Sequence, residues 1–330
     1  MNEALRGRCE LFIKNRDAFK SAFPMESGYI LPICASIFTD CEKKADVESL
    51  KETRKLLKNS VRAGSSFKST CELPIVAMLA VSDDPQARLD GAVKLHSVLR
   101  EHFFSSEYLP VAAMILSGQV SDDSYTEIAA RTRRIYDLMK KEHPFLTSGE
   151  DNVFAAMLSL SDREDSELIG EVELCYDILK EKFHDRNALQ SLSFVLTLAD
   201  DGEMSAKDRC RNAERLFDLL REKKNKYGTG YELATLGSLA TLPCGVEETA
   251  QDLIEVSEFL KAQKGYGFWG IGKAQRLLHA AMIVTSDRIG GTETMSGAAV
   301  NSTISMIAAQ QAAICAMITC TIAVSAVASR

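Results

Sequence analysis

The densest set of residues able to do chemistry lies at 265–273, GYGFWGIGK. Gly265, Gly267 and Gly270 fit the spacing G-x-G-x-x-G, and Gly267, Gly272 and Lys273 fit G-x-x-x-x-G-K. Both spacings serve phosphate binding, because glycine lets backbone amides approach an oxyanion closely and lysine neutralises it. A working phosphate loop needs a strand before it and Ser or Thr after the lysine. Here the preceding segment, VSEFLKAQK, has helical spacing, and Ala274 follows Lys273. The more economical reading is a turn that packs Tyr266, Phe268 and Trp269 on neighbouring helices. The functional reading is an anion site in which Lys273 and Arg276 hold the charge and His279 moves a proton. Trp269, Gly270 and Gly272 would shape its rim, and the spacing i, i+3, i+6 sets the three polar residues roughly on one helix face.

Other constellations are weaker. The five histidines (96, 102, 143, 184 and 279) are scattered, with no pair at i, i+4 and no carboxylate neighbours of the metalloprotease kind. His279 lies in the apolar run LLHAAMIV and reads first as a core histidine, and His143, before Pro144, as a helix C-cap. The nine cysteines contain no C-x-x-C and no zinc spacing, so they read as small buried hydrophobes of a reducing, cytoplasmic compartment. Acidic pairs Asp83-Asp84, Asp122-Asp123 and Asp200-Asp201 recur at turns, as caps do. No serine lies in a G-x-S-x-G elbow. No catalytic residue, metal or cofactor is assigned on this basis.

The elements that would carry these residues follow from a repeat. Six segments share one amphipathic pattern: TRKLLKN at 53–59, LHSVLREHF at 95–103, IYDLMKKEH at 135–143, CYDILKEKF at 175–183, LFDLLREKK at 216–224 and VSEFLKAQK at 256–264. Their equivalent positions Leu57, Leu99, Met139, Leu179, Leu220 and Leu260 are spaced by 42, 40, 40, 41 and 40 residues. A period near 40 marks stacked repeats. Between them run apolar segments at 31–38, 73–81, 109–116, 153–160, 192–199, 233–242 and 277–284, rich in Ala and Met rather than β-branched residues, which favours helix over buried strand. Acidic and serine turns precede the amphipathic helices. Gly149, Gly228, Gly230 and Gly265 follow them and are expected to end them as left-handed caps. The fold class expected is all-α: an array of about six helical hairpins, solenoid-like, over residues 1–290.

Composition agrees with a folded soluble chain: 46% hydrophobic and 26% charged residues. A net charge of −7 argues against general nucleic-acid affinity. The charge is unevenly spread, because 294–329 holds no Asp, Glu, Lys or Arg. Within this tail (291–330) the stretch 304–324 is long enough for a bilayer. Ile304, Ile307, Ile314, Ile318 and Ile322 form one stripe, and Ala308, Ala312, Ala316 and Cys320 another of small residues. Gln310 and Gln311 at its centre and the lack of aromatic or basic flanks favour packing on the repeats or between subunits over membrane insertion.

Several stretches resemble a known family: CELFIKNRDAFKSAF, LPICASIFTD, LPIVAMLAVSDDP, KKEHPFLTSGEDNVFAAMLSLSD, YGTGYELATLGSLATLP and KGYGFWGIGKAQRLLHAAMIVTSD. They are similar to the bacterial domain-of-unknown-function family DUF4003, proteins of about this length from Gram-positive bacteria. The resemblance runs from about residue 5 to 288, and STISMIAAQQAAICAMI is similar to that family's alanine-rich ending. The chain departs from the pattern at SSFKSTCELP, 65–74, where the resemblance implies a turn richer in glycine and arginine. The resemblance implies no activity, cofactor or catalytic residue.

Together these readings make the chain a scaffold or a protein- or peptide-binding module first. The alternatives are a small-ligand binder or enzyme at Lys273, Arg276 and His279, and membrane association through 304–324.

Overall fold

A computed structural model of the chain describes residues 1–104, 106–266, 271–290 and 310–318, and every regular element among them is helical. Most of the 304–324 stretch, with Ile304, Ile307, Ala308, Cys320 and Ile322, lies outside the described residues. In chain order the helices are α1 (Glu3–Ala22), α2 (Ile30–Asp40), α3 (Val47–Ser60), α4 (Glu72–Ala80), α5 (Pro85–His102), α6 (Leu109–Leu116), α7 (Tyr125–Glu142), α8 (Asn152–Leu158), α9 (Asp165–Leu179), α10 (Arg186–Leu198), α11 (Ala206–Glu222), α12 (Leu233–Ala240), α13 (Gly245–Lys261) and α14 (Lys273–Gly290). Single 3-10 turns lie at Ser66–Lys68, Asp122–Ser124 and Gly149–Asp151.

All seven apolar segments are helices. Those of α6, α8 and α12 are buried at every residue, which explains why they carry no polar face to reveal their period. The longer helices alternate with them and bury one stripe each, such as Leu89, Ala92, Leu95 and Leu99 of α5. The six equivalent positions Leu57, Leu99, Met139, Leu179, Leu220 and Leu260 are all at most 2% exposed.

The acidic turns cap as expected in part. Asp46 accepts from Ser49 N–H, Asp84 from Ala87 N–H with Pro85 behind it, and Asp185 from Ala188 N–H. Asp122 and Asp123 instead form a 3-10 turn ahead of α7, and Asp200 and Asp201 accept from Gly202 and Glu203 N–H in Asx turns. The glycine caps need correction. Gly265 has the left-handed φ of +92°, but Gly149 opens a 3-10 turn, and the left-handed residue after α11 is Lys224, not Gly228 or Gly230. Asn225 N–H reaches back to Leu220 O there, so a lysine is held where glycine would cost less.

Two compact units result. Unit one holds residues 1–15 and 171–317; unit two holds 16–170 and 318–330. In unit two, α2, α4, α6 and α8 pack in succession, and α3, α5 and α7 flank them. In unit one, α10, α12 and α14 pack in the same manner, with α11 beside α13. The helices α3, α5, α7, α11 and α13 each pack more extensively on the helix that follows than on the one before. The pairing is therefore tightest across the turns that lead into the apolar helices, not across the acidic turns.

Side-chain donors close the C-terminal ends of the short helices, where carbonyls lack partners. Lys43 Nζ donates to Val81 O after α4, Arg88 Nη2 to Met114 O in α6, Arg131 Nη1 to Ser159 O after α8, and Asn212 Nδ2 to Ala240 O in α12. Arg131 also donates to Ser161 O and Arg163 O and pairs with Asp165. In unit one, residues 310–317 are helical, and Gln310 Nε2 donates to Met282 O at 3.2 Å. Among the described residues no helix is long and apolar enough to cross a membrane.

Candidate functional site

The polar residues of α14 go to separate partners. Lys273 Nζ donates to Lys224 O at 2.5 Å, across to the end of α11. Arg276, 8% exposed, donates from Nε to Ser257 Oγ of α13 at 3.1 Å. His279, 4% exposed, sets Nδ1 2.8 Å from Tyr266 Oη, with the Tyr266 ring edge-on and the Phe12 ring 6.1 Å away. These contacts tie the first two turns of α14 to its neighbours, which is structural work for residues that spacing alone makes a site. A Cβ at Gly272 would meet nothing within 4 Å, so no close approach demands glycine there. Trp269 and Gly270 lie outside the described residues.

A second constellation lies in unit two, around the turn from α3 to α4. Gly64 has φ +77°, which turns the chain sharply after Ala63. Ser65 Oγ then accepts from Phe67 N–H, and Ser69 Oγ donates to Ser66 O at 2.7 Å. Phe67, 1% exposed, anchors the turn and meets the His96 ring edge-on at 5.2 Å. These contacts bring the turn against the C-terminal half of α5. An open pocket of about 590 Å³ results, lined by Gly64, three serines and Lys68 of the turn, by His96 and Arg100 of α5, and by Ser106 and Glu107 before α6.

The pocket lining carries two cations, Lys68 and Arg100, and one carboxylate, Glu107. Lys68 and Arg100 have no ion pair among the described residues, whereas Glu107 accepts from Thr70 Oγ1 at 2.6 Å. Burial, with Arg100 adding repulsion, pushes His96 down to about 4, so its ring is neutral at pH 7. Ser66 Oγ lies 3.4 Å from His96 Nε2. Two cations without an ion pair among the described residues, rotatable hydroxyls and a neutral imidazole suit an oxyanion: cations set the charge and hydroxyls donate to its oxygens. The pair lacks an orienting carboxylate, so it does not form the triad that activates a serine nucleophile.

His96 was one of five scattered histidines, and neither Lys68 nor Arg100 stands out in a motif. The available signal was the period, since a turn after one long helix lies beside the last turns of the next long helix.

Among the described residues no group of three or more His, Cys, Asp or Glu is placed to hold a metal ion. Burial raises the thiols of Cys9 and Cys315 to about 12, and Cys34 also well above its usual value, which makes them poor nucleophiles.

The family model described as "Protein of unknown function (DUF4003)" matches residues 15–312. No curated protein and no solved structure matches the chain.

Proposed function

We propose that this chain, which belongs to the DUF4003 family, is a helical-repeat binding protein that holds a small oxyanion-bearing ligand in the pocket between the 64–69 turn and α5. The observation that carries the reading is the pairing of Lys68 and Arg100, both without carboxylate partners among the described residues, around serine hydroxyls in one 590 Å³ pocket. A phosphate, sulfate or carboxylate supplies an ion-pair partner for Lys68 and Arg100.

The array reading supports the placement. With a period near 40 over residues 1–290 and an uncharged tail from 291, a turn of one repeat and the helix end of the next always meet at the same edge. The pocket uses one such meeting. The α14 residues support a ligand site less well, since Lys273, Arg276 and His279 each serve a different neighbour.

Inorganic phosphate tests this by calorimetry and thermal shift. Saturable binding by the full chain is expected, with phosphate at 100 times its Kd adding about 2.7 kcal/mol to stability. Binding falls in Lys68→Ala and Arg100→Ala and persists in Lys273→Ala. Equal binding by all variants, or none by the native chain, overturns the reading; loss in Lys273→Ala alone moves the site to α14.

A further inference from the structure

The four turns that lead into α2, α4, α6 and α8 form one continuous edge of unit two. Arg54 bridges Glu26 of the first turn to Glu72 at the start of α4; Thr70 Oγ1 and Cys71 Sγ of the second reach Glu107 of the third; Ser106 Oγ of the third donates to Gly149 O of the fourth at 3.3 Å. Along this edge stand Met25, Phe104 and Phe145, exposed at 95%, 94% and 99%. Single exposed apolar residues are ordinary. Here three large side chains project almost completely, from three turns of one edge, with a cationic pocket in the turn between them.

The opposite turns differ in kind. They carry exposed Asp84, Asp123, Asp162 and Glu164, with Asp83 and Asp122 paired to Lys43 and Lys94, and no exposed large hydrophobic residue among the described ones. On the apolar edge Glu26 is paired with Arg54 and burial raises Glu150 and, to about 7, Asp151, while Glu101, Glu107 and Glu142 are exposed. Arg62, Lys68, Arg100 and Lys141 carry no ion pair among the described residues. Unit two is thus apolar and of mixed charge at one edge and acidic at the other. Such a body orients on a negatively charged surface with its acidic edge away.

We propose that this edge docks on an anionic phospholipid surface, with Met25, Phe104 and Phe145 inserted at the level of the headgroups and the Lys68–Arg100 pocket receiving a headgroup phosphate. The choice of a lipid surface over a protein rests on shape: the apolar groups are separate tips on turns, which penetrate a fluid interface, and do not line a groove that would seat a helix or strand. The proposal uses the pocket reading above for its headgroup contact.

Vesicle co-sedimentation of the full chain tests it, with phosphatidylcholine alone and with added phosphatidylglycerol. Binding is expected only with the anionic lipid, and Phe104→Ser and Phe145→Ser each weaken partitioning by about tenfold, because each removes most of one side chain's transfer free energy. Both sites are solvent-exposed, so the folded state is retained, and unchanged circular dichroism checks this. Arg100→Ala weakens binding as well. Binding of inorganic phosphate without any vesicle binding overturns docking and leaves the pocket intact. Phe-dependent vesicle binding with no response to phosphate or to Arg100→Ala supports docking and removes the pocket. Vesicle binding unaffected by the Phe104→Ser/Phe145→Ser double variant assigns adsorption to another segment and overturns the proposal. Phe-dependent self-association without vesicle binding gives the edge to a second copy and overturns it too.

Discussion

Ser66 Oγ and His96 Nε2 lie 3.4 Å apart although thirty residues separate them in the chain, and the contact joins the turn after α3 to the body of α5. His96 is held neutral there by burial and by Arg100 one turn further along the helix. An oxyanion entering the pocket reverses the second of these influences.

The first prediction concerns that histidine. An anion favours the protonated ring, so the His96 pKa rises from about 4 when sulfate binds. By linkage, sulfate affinity tightens as pH falls through the raised value towards about 4. Proton NMR titration of His96 with and without sulfate checks this; a His96 pKa unmoved by saturating sulfate contradicts it.

Asp151 gives an opposite pH signature in stability. Burial raises its folded-state pKa to about 7, while its unfolded value is near 3.9. The folded state therefore holds a proton that the unfolded chain has released, and stability falls as pH rises from about 4 to about 7. In Asp151→Asn this fall is reduced, because the amide still accepts from Ser148 N–H without titrating. Urea midpoints at several pH values measure it.

Arg209 is a third test. It is 1% exposed and pairs with Glu171 and with Asp200 (2.6 Å), and donates to Met204 O. Arg209→Met leaves two carboxylates without their cation and costs about 3 kcal/mol, the low end for a broken buried pair because Asp200 keeps some solvent. The deficit shrinks at low pH, as those carboxylates take up protons.

Gly237 tests packing in unit one. A Cβ there would stand 2.8 Å from Val195 Cγ1, on the face where α12 meets α10. Gly237→Ala lowers stability by about 1–3 kcal/mol through overpacking, despite alanine's better helix propensity. Gly170→Ala, in α9 with nothing near its Cβ, raises it by up to about 1 kcal/mol. Denaturant curves of the two variants should separate in opposite directions.

The helices were readable because their signal is periodic. Leu57 to Leu260 recur every 40 to 42 residues, and all are buried. α1 was not recognised as an element, since the repeat has no copy of it to compare. The left-handed cap at Lys224 escaped because glycines stood nearby and lysine rarely takes that conformation. For the site, the glycine cluster at 265–273 drew attention by composition, yet Arg276 and His279 are spent on packing. The pocket at His96 needs the packing of the α3–α4 turn against α5, which no short motif carries.

The N-terminal fifteen residues belong with residues 171–317, and Phe12 faces His279, made roughly 270 residues later. At synthesis rates of about 5–20 residues per second, the start of α1 waits on the order of ten seconds to a minute for its partners. Leu5, Cys9 and Phe12, all fully buried in the finished protein, are exposed during that interval. Unit two is complete within the first 170 residues except for 318–330. The first half of the chain can thus assemble before the start of α1 has its partners, and Phe12 meets His279 only after α14 has been made.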